Sequence, residues 1–303
     1  MYAIETDGLT KIYGSQVVVD NITLKVKAGT IFGFLGKNGA GKTTFINLLT
    51  GLSRPTSGGF KLLGQENIDG NKIKKKIGVL PDYSEFYDDL TAMEHLKYFS
   101  GILGVSLSRE EIYEILKNVE LEKAAYTKVG KYSFGMKKKL GIAQSLINNP
   151  DLIFLDEPTS GVDANAVLTI QSLIRSLAKK GKTIFLTSHN LVEVEKLCDE
   201  ISIMDKGTIK FQGNMNELRN KYQNKLTVYI KHGSITKDKK VHLEETFIKT
   251  GSQIEWGNNL SKLIVDDELI LTNINKSFFK SDIDIFRIEV EEPSLEEIFL
   301  KIV

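Results

Sequence analysis

Apolar residues along the chain fall into two rhythms. Short runs at residues 30–35, 76–80, 152–155 and 183–187 are largely apolar and are bounded by Gly, Pro, Asp or Ser. Runs of that length without alternation predict strands covered on both faces, as in a parallel sheet. Between them the spacing turns helical, from Gly41 through Phe45, Leu48 and Leu49, and over 164–178 with Val167, Ile170, Ile174 and Leu177 on one face. Strands alternating with helices predict an α/β fold. From about residue 82 to residue 149 the pattern stays helical without intervening strands. There Thr91 with Glu94 and Ser108 with Glu111 have capping-box spacing, while Met93, Leu96, Phe99, Leu103, Ile112, Ile115 and Leu116 recur as a helical core. This predicts a helical subdomain inserted into the α/β unit.

Residues 214–225 are a polar stretch that ends the first domain, so 1–220 is read as one domain and 225–303 as a second. In the second, 226–230 alternates as a strand, 241–249 is helical, and 253–256 pairs with 262–265 across the turn Gly257, Asn258, Asn259. A helix from about 268 to 279, a strand from 283 to 290 and a last helix after Pro293 complete the pattern. The result is a small α+β, ferredoxin-like βαββαβ domain.

Composition narrows the possibilities. With 303 residues and 41% hydrophobic side chains the chain has material for one large and one small core. The 40 Lys and Arg against 39 Asp and Glu leave a formal charge of +1, so no net field draws it to nucleic acid, and no nucleic acid is expected as a partner. The lysine runs 72–76 and 137–139 are read as solvated faces. The lone cysteine, Cys198, excludes an intramolecular disulfide and is read as a small buried residue. The amino terminus lacks the basic start and apolar run of a secretory signal, and no apolar run approaches the roughly 20 residues of a membrane span.

Residues 36–43 read GKNGAGKT, between the strand ending at Leu35 and an apolar helix. This is the phosphate-binding loop pattern in its proper context. Its glycines Gly36, Gly39 and Gly41 let backbone N–H groups approach phosphate oxygens, and the following helix offers its positive end to the same anion. Asn38, Ala40 and Thr44 belong to the same cradle. Lys42 is expected at the β- and γ-phosphates of a nucleotide and Thr43 at a Mg²⁺ ion. The apolar strand 152–155 delivers Asp156 and Glu157 side by side, an arrangement that is costly unless it serves a cation or a proton. Asp156 is assigned to Mg²⁺ and Glu157 to activating the attacking water.

The stretch YSFGMKKKLGIAQSLINNPDLIFLDEPTSGVD, residues 132–163, resembles the signature loop, Walker B strand and D-loop of the ATP-binding cassette (ABC) ATPases in their usual order. The resemblance covers about residues 2–215. It implies a head-to-tail dimer, of identical or paralogous cassettes, in which each ATP lies between one phosphate loop and the other subunit's signature. It further implies that Ser133 and Gly135 contact the γ-phosphate in trans, that Tyr13 stacks on adenine, that Asp163 links the two sites, and that His189 senses the γ-phosphate. His95, His232 and His242 lack such context and are read as surface or packing residues.

Two positions depart from the family pattern. Asp82 stands where glutamine is usual, and a third carboxylate there would be repelled by phosphates unless Mg²⁺ intervenes, so it is expected at the metal only in a closed state. Phe134 stands where many members have glycine, and its YS-x-GM setting resembles drug and peptide-antibiotic exporters. The ending EEPSLEEIFLKIV, from Glu291, resembles exporter cassettes that carry a small C-terminal domain, for which regulation, dimer support and partner binding are all open. The resemblance implies the ATP-hydrolysing subunit of an exporter, at the cytoplasmic face of the membrane, driving a transmembrane permease on a separate chain. Tyr83, Phe86, Tyr87 and Leu90 are candidates for contact with that permease or for packing beneath the subdomain. The competing reading is a soluble ABC-type ATPase acting on a cytosolic macromolecule.

Overall fold

A computed structural model describes residues 1–66, 71–82, 85–222, 226–249, 253–265, 269–291 and 294–303. Tyr83 and Pro293, singled out above, lie outside the described residues. The chain divides into two compact units, Met1–Met215 with Ile302–Val303, and Asn216–Lys301.

The first unit is built on a six-stranded sheet in the order Thr208–Gly213, Glu200–Asp205, Ile31–Leu35, Thr183–Ser188, Leu152–Asp156, Ile77–Leu80. All its neighbours are parallel except Thr208–Gly213 with Glu200–Asp205. Every residue of Ile31–Leu35, Leu152–Asp156 and Thr183–Ser188 is buried, which is why these strands read as largely apolar runs. Phe32, Phe34, Phe45, Phe154 and Phe185 cluster against it, with Phe34 and Phe45 stacked at a ring-centroid distance of 4.8 Å. A second, antiparallel sheet orders Gln16–Lys27, Tyr2–Tyr13, Ser57–Leu62 and Gln65–Glu66, and shares the same core.

The helical region contains Ala92–Ile102, Arg109–Asn118 and Phe134–Ser145. Both expected capping boxes are present, at Thr91 with Glu94 and at Ser108 with Glu111. Met93, Leu96, Ile112 and Leu116 are buried as expected, whereas Leu103 is exposed, because it follows the last turn of its helix and lies beyond the packed face.

The second unit carries the strands Leu226–His232, Gln253–Glu255, Leu260–Val265 and Ile285–Glu291, and the helices Lys237–Lys249, Leu269–Lys280 and Leu295–Ile302. The first, second, third and fourth strands of this unit lie in the order 2-3-1-4, antiparallel throughout, which is the ferredoxin-like arrangement. Ile254 faces Leu263 across the anticipated turn. The stretch read as a polar boundary carries the helix Met215–Tyr222, which buries Leu218. Among the described residues no helix is long and apolar enough to cross a membrane.

Candidate active site

The strands Ile31–Leu35, Thr183–Ser188, Leu152–Asp156 and Ile77–Leu80 are neighbours, so their carboxyl ends emerge along one edge of the sheet. Leu35 is level with Ser188, Asp156 with Thr187, and Leu80 with Leu155. The phosphate loop, His189, the Asp156–Glu157 pair and Asp82 therefore start within a residue or two of that edge, where α/β folds hold ligands.

The loop itself depends on glycine at two left-handed positions, Gly39 with φ 80° and Gly41 with φ 109°. At Gly41 a Cβ would also lie 2.5 Å from the Val18 carbonyl oxygen. The helix Lys42–Leu49 has no side-chain cap, which leaves its first N–H groups available to an anion. Lys42 Nζ donates to the Gly36 carbonyl at 2.8 Å and lies 3.8 Å from Glu157 Oε1. These groups line a cleft of about 220 Å³ together with Asn38, Gly39, Thr43, Thr44, Asp82 and Asp156. Gly36 and Ala40 stand behind it. A Cβ on Gly36 would lie 2.5 Å from the Met204 carbonyl, and the Ala40 carbonyl accepts from Gly207 N–H at 3.0 Å.

Asp156 is 2% exposed. The Thr187 hydroxyl donates to its Oδ1 at 2.5 Å and accepts from the Glu157 N–H at 3.0 Å, so one side chain positions both acids. Glu157 has φ 50°, a left-handed conformation that costs a non-glycine residue on the order of 1 kcal/mol. The fold holds it there by engaging both its backbone polar groups, the N–H with Thr187 and the carbonyl with Lys138 Nζ at 3.1 Å. His189 Nδ1 and Glu157 Oε2 lie 2.8 Å apart, a hydrogen bond in which Nδ1–H donates and fixes the orientation of the carboxyl group.

Lys138 changes one sequence expectation. The run 137–139 was expected to be a solvated face, yet Lys138 is 5% exposed. Its ammonium donates to the Asp82 carbonyl at 2.9 Å and lies 3.7 Å from Asp82 Oδ1. Burial lowers its pKa from the ordinary lysine value, against the opposing pull of Asp82, Asp156 and Glu157. Lys137 and Lys139 pair with Asp88 and Glu120, while Lys74, Lys75 and Lys76 are exposed. The signal that marks Lys138 is helical spacing, since Gly135, Lys138, Ile142 and Ser145 form one buried stripe. Asp82 thus meets a cation supplied by the chain itself.

The remaining expected residues lie elsewhere. Ser133 caps the helix Phe134–Ser145, its hydroxyl accepting from Met136 N–H at 3.2 Å. Gly135 is packed so closely that a Cβ would lie 2.9 Å from Ala166 Cβ. Neither lines the phosphate-loop cleft. Phe134 is 55% exposed and folds against Gly161. Asp163 caps its own helix, Ala164–Lys179, accepting from Asn165 and Ala166 N–H. Tyr13 is 50% exposed at the end of a β-hairpin, its hydroxyl 3.2 Å from Ser53 Oγ and Lys11 Nζ 4.7 Å from its ring centroid. His95 and His232 are buried packing residues and His242 is exposed. A second cleft, of about 610 Å³, opens beside Glu157 and is lined by Ser160, Gly161, Gln171, His189 and Asn190.

Residues 19–160 match the family described as ABC transporter, and residues 213–303 match the family described as ATP-binding protein DrrA1-3-like, C-terminal domain. The bacitracin transport ATP-binding protein BcrA of Bacillus licheniformis is 38% identical over 99% of this chain and 97% of its own length. The Nod factor export ATP-binding protein I of Ralstonia nicotianae is 40% identical over 71% of this chain and 68% of its own. Among solved structures, an ATP-binding subunit of an ABC transporter superposes with a TM-score of 0.65 at 29% identity, covering 73% of this chain and 93% of its own. With the phosphate loop and the buried acid pair in place on this fold, the chain belongs to the ATP-binding, ATP-hydrolysing subunits of ABC transporters.

Proposed function

We propose that two cassettes clamp ATP between the Lys42 cleft of one and the Ser133–Gly135 helix start of the other, and that hydrolysis opens the clamp to drive a transmembrane partner in export. The supporting observation is a division of parts. One cleft gathers Lys42, Thr43, Asp156 and Glu157, whereas Ser133 and Gly135, at an amino-terminal helix end suited to an anion, do not line it. A second copy supplies what a single cleft does not contain, and the larger opening beside Glu157 and His189 is the surface offered to it. On the family resemblance, Asp163 links the two sites and Tyr13 stacks on the adenine.

Within one cleft the proposed roles are supported by the residues that line it. The backbone of Gly36 to Gly41 cradles the phosphates and Lys42 neutralises the β- and γ-oxygens. The donor set fits magnesium, because Thr43 and Asp156, both lining the cleft, offer hard oxygens. Such an ion supplies charge neutralisation at the phosphates. Asp82, held by Lys138, would be a further carboxylate available to such an ion. Glu157 takes the proton from the attacking water while His189 keeps its carboxylate in place.

The transporter reading places the chain at the cytoplasmic face of a membrane, bound to a permease encoded separately. Export of a peptide antibiotic is the reading that the full-length likeness to the bacitracin transport protein favours. Expression with the neighbouring membrane protein in a bacitracin-sensitive host tests it. Raised resistance that disappears with Glu157→Gln supports export, and unchanged sensitivity with both proteins made overturns the assignment of bacitracin-like cargo.

A further inference from the structure

Lys138 is a buried ammonium that holds both Asp82 and the Glu157 carbonyl. Its partners come from separate segments of the first unit. The Asp82 carbonyl at 2.9 Å and carboxylate at 3.7 Å belong to the loop after Ile77–Leu80, and the Glu157 carbonyl at 3.1 Å belongs to the turn after Leu152–Asp156. Lys138 itself stands about one turn along the helix that Ser133 caps. The Phe134 ring, with its centroid 5.8 Å from Nζ, lies within cation–π range of the ammonium. The two departures from the family pattern, Asp82 and Phe134, therefore meet at one side chain. A buried cation is costly unless paired, and a carboxylate facing phosphate is costly unless neutralised, so each of Lys138 and Asp82 answers the other's cost.

We propose that Lys138 is a positioning residue of the ATPase site, which neutralises Asp82 so that the cleft accepts a triphosphate and ties the Glu157 turn to the helix beginning at Ser133. Lys138 does not line the cleft, so it acts on the site through Asp82 and the Glu157 turn. This assignment rests on the ATP-hydrolysing reading of that cleft. Around the cleft, Asp82, Asp156 and Glu157 stand against Lys42 and Lys138, three negative groups against two positive ones. Removing Lys138 doubles the negative excess and removing the Asp82 charge abolishes it, so the two substitutions must move nucleotide affinity in opposite directions.

The test is equilibrium binding of ATP to the full-length protein in EDTA, which needs neither metal nor turnover, with Lys138→Met, Asp82→Asn, the double variant and Lys138→Arg. Lys138→Met weakens binding about tenfold, Asp82→Asn strengthens it several-fold, and the double variant returns to within about threefold of the parent. In magnesium, kcat stays low in both proteins carrying Lys138→Met, because Asp82→Asn restores the charge balance in the double variant but not the tether to the Glu157 turn. Lys138→Arg keeps the parent affinity. Shifts of the same sign, or double-variant binding as weak as that of Lys138→Met, overturn the pairing. If Lys138→Met does not fold, the sign for Asp82→Asn decides, since unchanged or weakened binding overturns it. A parent protein that binds no ATP would sink the underlying reading instead, whereas a parent that binds while the variants fail these signs sinks only the role of Lys138.

Discussion

Thr187→Val isolates the device that sets both acids. Valine has nearly the shape of threonine, and residue 187 is fully buried, so packing is preserved while the hydroxyl is lost. Two interactions go with it, the 2.5 Å donation to Asp156 Oδ1 and the 3.0 Å acceptance from Glu157 N–H. A hydrogen bond to a charged group contributes about 1.5–3 kcal/mol, and a buried N–H left unpaired costs about 1–3 kcal/mol. A loss of about 3 kcal/mol follows, equivalent to a fall of roughly 6–12 °C in the Tm of a unit of this size. The released Glu157 turn also loses one of the two backbone bonds that hold its left-handed conformation, so kcat drops about tenfold or more. Differential scanning calorimetry and steady-state ATPase assays on Thr187→Val and Thr187→Ser give the comparison. Serine keeps the hydroxyl and forfeits one methyl, and is expected within about 1.5 kcal/mol of the parent with most of its activity. Valine and serine variants of equal stability and equal kcat would refute the idea that this hydroxyl organises the acid pair.

Two further outcomes concern the helical region. His95 is fully buried, with Nε2 at 3.0 Å from Gln144 Oε1, and burial lowers its pKa below the ordinary 6.5. Because the unfolded chain takes up that proton first, its contribution to stability is complete above pH 6.5 and declines as pH falls toward the lowered folded value. His95→Gln should flatten this part of the stability-against-pH curve measured by urea denaturation, and an unchanged slope would show that His95 does not set it. Tyr87, one of the candidates for permease contact, is exposed and sits edge-on to Tyr98, centroids 5.5 Å apart. Tyr87→Ala should leave ATP hydrolysis by the isolated subunit within about twofold while lowering transport in the assembled complex. Parallel losses of both would make Tyr87 a packing residue.

Local rules carried far through this chain. The capping boxes at Thr91 and Ser108 span only three residues, so spacing alone located two helix starts. The strands behind the phosphate loop and the acid pair were legible because burial on both faces leaves no polar residue to break the run. The hairpin of Tyr2–Tyr13 and Gln16–Lys27 was not, since repeated register shifts interrupt its alternation. Lys138 was misread because its charge sits in a lysine run, while its partners lie 56 and 19 residues away. Its place on the stripe with Gly135, Ile142 and Ser145 was the available sign. Thr187 was hidden for a similar reason, since its partners Asp156 and Glu157 lie on and just beyond the neighbouring strand, 31 and 30 residues away, and only the parallel register brings them level.

The claim on which the account depends is that ATP joins two cassettes, with Glu157 needed to part them. Size-exclusion chromatography of Glu157→Gln in saturating ATP and Mg²⁺ measures this directly. A nucleotide-dependent species at twice the mass of the chain, lost when Ser133→Arg is added, is the predicted result. A single-chain species under those conditions, even with the membrane partner present, would contradict it.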